Sequence, residues 1–160
     1  EAGADGIGLF RSEFIYLNSS VEPTEEEQYH VYSAAAKACK GKPLTIRTLD
    51  IGGDKAVPYL GFEREENPFL GWRAIRVSLD IEQMFCRQLR AILRASAEGD
   101  VRVMFPMIAT LEELIEAKRI LEKCKADLTA EGVKYNENIK VGVMIETPAA
   151  VFIADTLAAN

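Results

Sequence analysis

The 160-residue chain has no apolar run approaching the roughly 18 residues that suggest a membrane-spanning helix. Its first residues do not form a charged-then-apolar signal peptide, so a cytosolic protein is expected. Cysteine is scarce: Cys39, Cys86 and Cys124 are odd in number, widely separated and without a CxxC pair. That spacing argues against a disulfide framework or a zinc site, and the three are expected as reduced packing residues on apolar helix faces. Bases are outnumbered, 19 Lys and Arg against 25 Asp and Glu, which argues against a general nucleic-acid or anionic-membrane surface. A local basic cluster could still hold a small anion. There is no low-complexity segment and no linker. Nor is there a complete nucleotide fingerprint: "GIGLFRSEF" has two glycines of GxGxxG and lacks the third, and they are expected before the first strand rather than after it.

What is present reads as a soluble globular composition, 48% apolar and 28% charged, of a size suited to one core. Four short apolar runs, "GIGLF" (6–10), "LTIR" (44–47), "VRVMFPM" (101–107) and "VGVMIE" (141–146), are each followed by a helical pattern. Buried parallel strands in βα units read this way. Capping boxes at Thr24/Glu27 and Thr110/Glu113 open two amphipathic helices. The first should bury Val31, Tyr32, Ala35, Ala38 and Cys39, and the second Leu111, Leu114, Ile115, Leu121 and Leu128. A further helix is expected to begin near Asp80, bury Ile81, Met84, Phe85, Leu89, Ile92 and Leu93, and end before Gly99. Thr147 and Pro148 read as the N-cap and first residue of another. Between strand two and the Asp80 helix lies a long insertion, residues 50–79, of the length that usually serves function. Phe69, Leu70 and Trp72 should hold it down.

Repeating βα units form either a doubly wound sheet or a (β/α)8 barrel. In a barrel the working residues sit at the C-terminal ends of several strands. Arg11 follows strand one, Arg47 closes strand two and Glu146 closes strand four, with Asp50, Asp54, Lys55, Arg73 and Arg76 nearby. In an acidic chain this is a local basic pocket, and arginine forks suit phosphate and carboxylate. A lone carboxylate such as Glu146 suits Mg²⁺, which takes one or two protein carboxylates and completes its shell with substrate oxygens and water. Each residue has a plainer reading. Arg11 could pair with Glu13, Arg47 with Asp50, and Glu146 could cap the following helix. Lys55 could be solvated, one of Arg73 and Arg76 could be a surface charge, and His30 reads as an ordinary helix histidine. The residues alone lead to a site for a small phosphorylated carboxylate.

"GIGLFRSEF", "IRTLDIGGDK", "ENPFLGWRAIR", "QLRAILRAS", "MFPMI" and "GVMIETPAA", in this order, resemble the phosphoenolpyruvate-binding barrel of enzyme I of the bacterial sugar phosphotransferase system. The resemblance spans essentially the whole chain. Phosphoenolpyruvate synthase and pyruvate phosphate dikinase share the barrel plan and parts of the first and fourth motifs. The resemblance implies an α/β fold, a partial (β/α)8 TIM barrel of about four βα units with a long insertion after strand two, residues 1–160 being one partial domain. It implies that Arg11 and Arg47 bind the substrate phosphate, that Arg73 matches another charged active-site position, and that Glu146 matches one of two Mg²⁺ ligands. The implied reaction is that of a transferase in sugar uptake. It moves the phosphoryl group of phosphoenolpyruvate to an enzyme histidine in a separate N-terminal domain and on to the phosphocarrier protein HPr.

Ser12 stands where the family usually has threonine. The second metal ligand, a neighbouring asparagine and a proton-donating cysteine belong to later strands, so the chain resembles the first half of a barrel, expected to be inactive alone. Its open edge strands predict dimerisation or a marginal four-stranded layer. The rival readings are a binding or structural module without turnover, and a fragment of a dikinase or synthase.

Overall fold

A computed structural model describes residues 3–52, 57–61, 67 and 71–160. Asp54, Lys55, Phe69 and Leu70 lie outside the described residues. Four strands, β1 (Ile7–Arg11), β2 (Leu44–Arg47), β3 (Val101–Phe105) and β4 (Lys140–Val143), form one parallel sheet in the order β1-β2-β3-β4. Strand order that runs with the chain, without a reversal point, is the plan of successive barrel strands; a doubly wound sheet reverses it.

Each strand feeds helices: α1 (Glu13–Leu17) and α2 (Glu25–Ala38) after β1, then α3 (Ile75–Asp80) and α4 (Glu82–Ala95) after β2. Next come α5 (Leu111–Ala130) after β3, and α6 (Pro148–Phe152) and α7 (Ala154–Ala159) after β4. Both expected capping boxes are present: Thr24 and Thr110 accept from the Glu27 and Glu113 amides, whose carboxylates reach back to the cap amides. Thr147 caps α6 through the Ala150 amide.

Alternation along the inner strands explains where the core sits. Leu44, Ile46, Val101, Val103 and Phe105 are buried and pack with Tyr32, Phe85, Leu89, Leu114 and Leu121 of the helix layer. Phe85 and Phe105 meet edge to face with centroids 6.0 Å apart. Burying one such side chain is worth roughly 1.5–3 kcal/mol. The odd partners, Thr45, Arg102 and Met104, turn to the opposite face and remain half-buried. A smaller core of Tyr16, Leu49, Ile51, Val57, Val77 and Met84 sits above the strand ends, with Trp72 packed against it as expected.

The seam between α2 and α4 carries a ladder of arginines. Arg87 reaches Glu22 at 2.7 and 2.8 Å, and Arg90 reaches Glu25 at 2.6 Å and Glu131 at 2.7 Å. Arg94 reaches Glu25 at 2.8 Å and Glu26 at 2.7 Å, and its guanidinium lies 4.1 Å from the Tyr29 ring centre.

Several expectations need correction. Arg11 is the last residue of β1 rather than the residue after it, and Gly8 lies within that strand. The helix expected near Asp80 starts at Ile75 and is interrupted at Ile81, whose φ of −106° and ψ of 63° leave the helical region. Ile81 is only half-buried. Val31, Ala38 and Ile115 are exposed, because α2 turns Gln28, Tyr32, Ser33 and Ala36 to the core and α5 turns Leu114, Ala117, Leu121 and Cys124. β4 ends at Val143, so Glu146 stands three residues beyond the strand. Cys124 is buried and Cys39 and Cys86 half-buried, all free thiols.

Candidate functional site

Arg11 and Arg47 are register partners at the C-terminal ends of β1 and β2. Arg47 alternates with the buried Ile46, so its side chain leaves on the face away from the helices. It is nonetheless buried, 7% exposed, and its charge is matched twice: Nη2 lies 2.5 Å from Glu13 Oε1 and 3.0 Å from Asp50 Oδ2. Its Nη1 meets the Met144 sulfur at 3.5 Å. Arg11 is about half exposed and donates through Nε to the same Glu13 oxygen at 3.2 Å. Arg73, buried, donates from Nη2 to Asp50 Oδ1 at 2.8 Å.

The three arginines singled out in the sequence are therefore joined in one chain, Arg11–Glu13–Arg47–Asp50–Arg73. The local basic pocket expected from the sequence thus carries counter-ions within it. Burying a guanidinium without a counter-ion costs several kcal/mol, so two of the acids of this region were drawn in to match the charge. The plain pairings of Arg11 with Glu13 and of Arg47 with Asp50 both exist, and they coexist with an arrangement suited to an oxyanion. The Arg47 Nε and the Thr48 Oγ1 are buried with no hydrogen bond among the described residues.

Backbone geometry supports the cluster. Gly52 has φ of +121°, and a Cβ there would lie 2.7 Å from the Trp72 carbonyl oxygen and 2.8 Å from the Arg73 Cα. Only glycine permits that approach. Ala74, fully buried at φ +49°, turns the chain from Arg73 into α3, and its amide donates to the Ile51 carbonyl at 2.9 Å. A non-glycine residue in that region is held by its surroundings.

Glu146 stands apart from the arginine chain. It is exposed, and its Oε1 accepts from the Met107 amide at 2.7 Å, fastening the β3–α5 loop, where Met107 has φ of +56°. The helix cap belongs to Thr147 instead. Arg76 is engaged structurally, donating to the Gly71 carbonyl at 2.9 Å and facing Glu113 at 3.7 Å. His30 lies 3.4 Å from Glu26 on the exposed face of α2. Among the described residues no group of three or more His, Cys, Asp or Glu could hold a metal ion by itself.

Sequence reasoning did not anticipate the central place of Glu13, nor the buried polar groups beneath it. Ser12, Gln28, Tyr32 and Gln88 are all buried. Tyr16 and Tyr32 have phenols pushed up by burial, so both stay neutral and can donate. The one available signal was the polarity of Gln28 and Gln88 on otherwise apolar helix faces.

A parallel βα array whose strands follow one another in chain order, with Arg11 and Arg47 at the ends of the first two, defines an α/β domain of the barrel type. Residues 1–160 match the family model "PEP-utilising enzyme, PEP-binding domain", and the chain belongs to that family. It is 52% identical over 158 residues to the phosphoenolpyruvate-protein phosphotransferase of Priestia megaterium, covering 99% of this chain and 28% of that protein. It is 51% identical over 158 residues to that of Lactococcus lactis subsp. lactis, covering 98% and 28%. It is 53% identical over 156 residues to that of Geobacillus stearothermophilus, covering 98% and 27%. The chain thus spans little more than a quarter of the length of these relatives.

Proposed function

We propose that residues 1–160 form one partial barrel domain of a phosphoenolpyruvate-protein phosphotransferase, a cytoplasmic transferase that takes phosphoryl from phosphoenolpyruvate and delivers it to HPr for sugar uptake. The observation that carries this reading is the pair Arg11 and Arg47, in register at the strand ends and bridged by one carboxylate oxygen. Their guanidinium forks are preoriented on a common acceptor, as two donors to one phosphoryl group must be. Arg73 completes the cationic wall through Asp50. Substrate phosphate then takes the place of carboxylate oxygens around Arg47, and the arginines offset charge while holding the donor in line for attack by a histidine of another domain.

Mg²⁺ fits this chain as a partner to one carboxylate. Glu146 is exposed, and its Oε2 makes no hydrogen bond among the described residues; the ion ordinarily takes few protein ligands and completes its shell from substrate and water. Bound there, the ion would neutralise phosphoryl oxygens. The names of the relatives favour a phosphotransferase over a dikinase or synthase. Exposed apolar side chains near the sheet edges, Ile7 and Leu9 on β1 and Ile145 and Phe152 beyond β4, are ones that adjoining barrel strands would cover; in residues 1–160 alone they favour self-association as a homodimer, and no nucleic-acid or membrane partner is proposed.

The test is titration of phosphoenolpyruvate with Mg²⁺ into the full-length protein before and after Arg47→Ala. Affinity is expected to fall by roughly a hundredfold, the loss of bonds worth about 1.5–3 kcal/mol each to a charged group. Unchanged affinity would remove Arg47 from the site.

A further inference from the structure

We infer that Gln88 and Ser12 are positioning residues for Arg47, acting on its backbone from the side opposite the substrate. The inference rests on the reading of Arg47 as a phosphate ligand. Ser12 occupies the N-cap position of α1 yet makes no cap bond. Its hydroxyl donates instead to the main-chain carbonyl of Arg47 at 2.8 Å. Gln88, projecting from α4, donates from Nε2 to Ser12 Oγ at 3.1 Å and to Tyr32 Oη at 3.1 Å, and its Oε1 accepts from the Leu49 amide at 2.8 Å. One glutamine therefore grips the chain on both sides of Thr48, through Leu49 directly and through Arg47 by way of Ser12.

The grip is itself fixed. The Tyr32 hydroxyl donates to Gln28 Oε1 at 3.3 Å, the Tyr16 hydroxyl donates to the same oxygen at 3.0 Å, and Gln28 Nε2 donates to the Pro23 carbonyl at 3.1 Å. Every one of these side chains is at most 1% exposed. In such surroundings water cannot replace a lost partner, so the bond directions are single-valued. Gln88 uses both amide hydrogens and its oxygen, and an isosteric carboxylate could not supply the two donations. Beyond Arg47 one more main-chain bond, from the Thr48 amide to the Met104 carbonyl at 3.0 Å, ties the chain to β3, while the Arg47 carbonyl and the Leu49 amide on either side are held by these side chains. A fork that must meet a phosphoryl group within about 0.5 Å needs such support.

The experiment uses the full-length protein with steady-state phosphotransfer to HPr, comparing Gln88→Glu, Ser12→Ala and Ser12→Thr with the parent. Misplacement of Arg47 raises KM for phosphoenolpyruvate by about tenfold or more and leaves KM for HPr unchanged. Loss of folded protein would lower kcat alone. Ser12→Thr, which keeps the hydroxyl, is expected to retain the parent KM. If Gln88→Glu does not fold, Ser12→Ala, which removes one hydroxyl, carries the test. Parent-like KM for phosphoenolpyruvate in Ser12→Ala, or a fall in kcat alone, overturns the inference. Should Arg47→Ala bind phosphoenolpyruvate normally, the reading of the site fails instead, so the two failures are separable.

Discussion

Replacing Glu13 by glutamine removes one negative charge from the centre of the arginine chain while keeping its shape. In the parent, Arg47 faces Glu13 at 2.5 Å and Asp50 at 3.0 Å, and Asp50 is shared with Arg73. Among the described residues, the variant leaves the buried guanidiniums of Arg47 and Arg73 sharing the Asp50 carboxylate. Breaking a buried ion pair outright costs about 3–5 kcal/mol. Here Asp50 stays, and the glutamine keeps an acceptor oxygen, so the loss is nearer that of one charge-assisted hydrogen bond, about 2 kcal/mol. About 2 kcal/mol lowers Tm by roughly 4–8 °C in a domain of 150–250 residues, and by less in the larger complete barrel. Inorganic phosphate should reverse it, since an anion at a hundred times its Kd contributes about 2.7 kcal/mol. In the parent, phosphate is expected to compete with Glu13 for Arg47 and to stabilise less. The assay is thermal unfolding of the full-length protein and its Glu13→Gln variant, each with and without phosphate. A variant that melts with the parent, or equal stabilisation of both by phosphate, would refute the reasoning.

Gly52→Ala is expected to destabilise by more than about 1 kcal/mol, because the new methyl group meets the backbone of Trp72 and Arg73 at a positive φ. The same displacement should weaken phosphoenolpyruvate binding in a calorimetric titration, through Arg73 and Asp50. Thr110→Ala, which removes the side-chain acceptor of the α5 capping box, should cost about 1 kcal/mol in denaturant unfolding and leave substrate affinity intact. Acid should weaken the helix layer. Hydrogen bonds from Lys123, Arg119 and Arg90 hold the Glu82, Glu116 and Glu131 carboxyls below their usual 4.5. Their contribution is complete above that value and lost as pH falls through the lower folded values. These groups are exposed, so the acid loss should shrink when an unfolding series is repeated in high salt.

Much of the fold was legible because its signals are local. Thr24, Thr110 and Thr147 cap helices through bonds reaching three residues ahead, and "LTIR" is a buried strand whose bounds the structure reproduces. The misreadings came from longer-range competition. Val31 and Ile115 look like core residues by type, but the faces that pack are chosen by the neighbouring helices, which leave them exposed. The break at Ile81 follows no glycine or proline. In the site, Arg11 and Arg47 could be read from their position at strand ends. Glu13 could not be weighted, since its partner Arg47 lies 34 residues away. Gln88 was hidden for the same reason, its contact with Ser12 spanning 76 residues.

The arginine ladder between α2 and α4 gives this domain an uneven response to heating. The cost of stripping water from charged groups falls as temperature rises, so networks of ion pairs hold better when warm than isolated ones do at 25 °C. Arg87, Arg90 and Arg94 thus bind together the helices that carry Gln28, Tyr32 and Gln88. The seam is expected to be among the last parts to loosen. An organism living in warmth would find in it a means of keeping Arg11 and Arg47 in place while the sheet edges begin to fray.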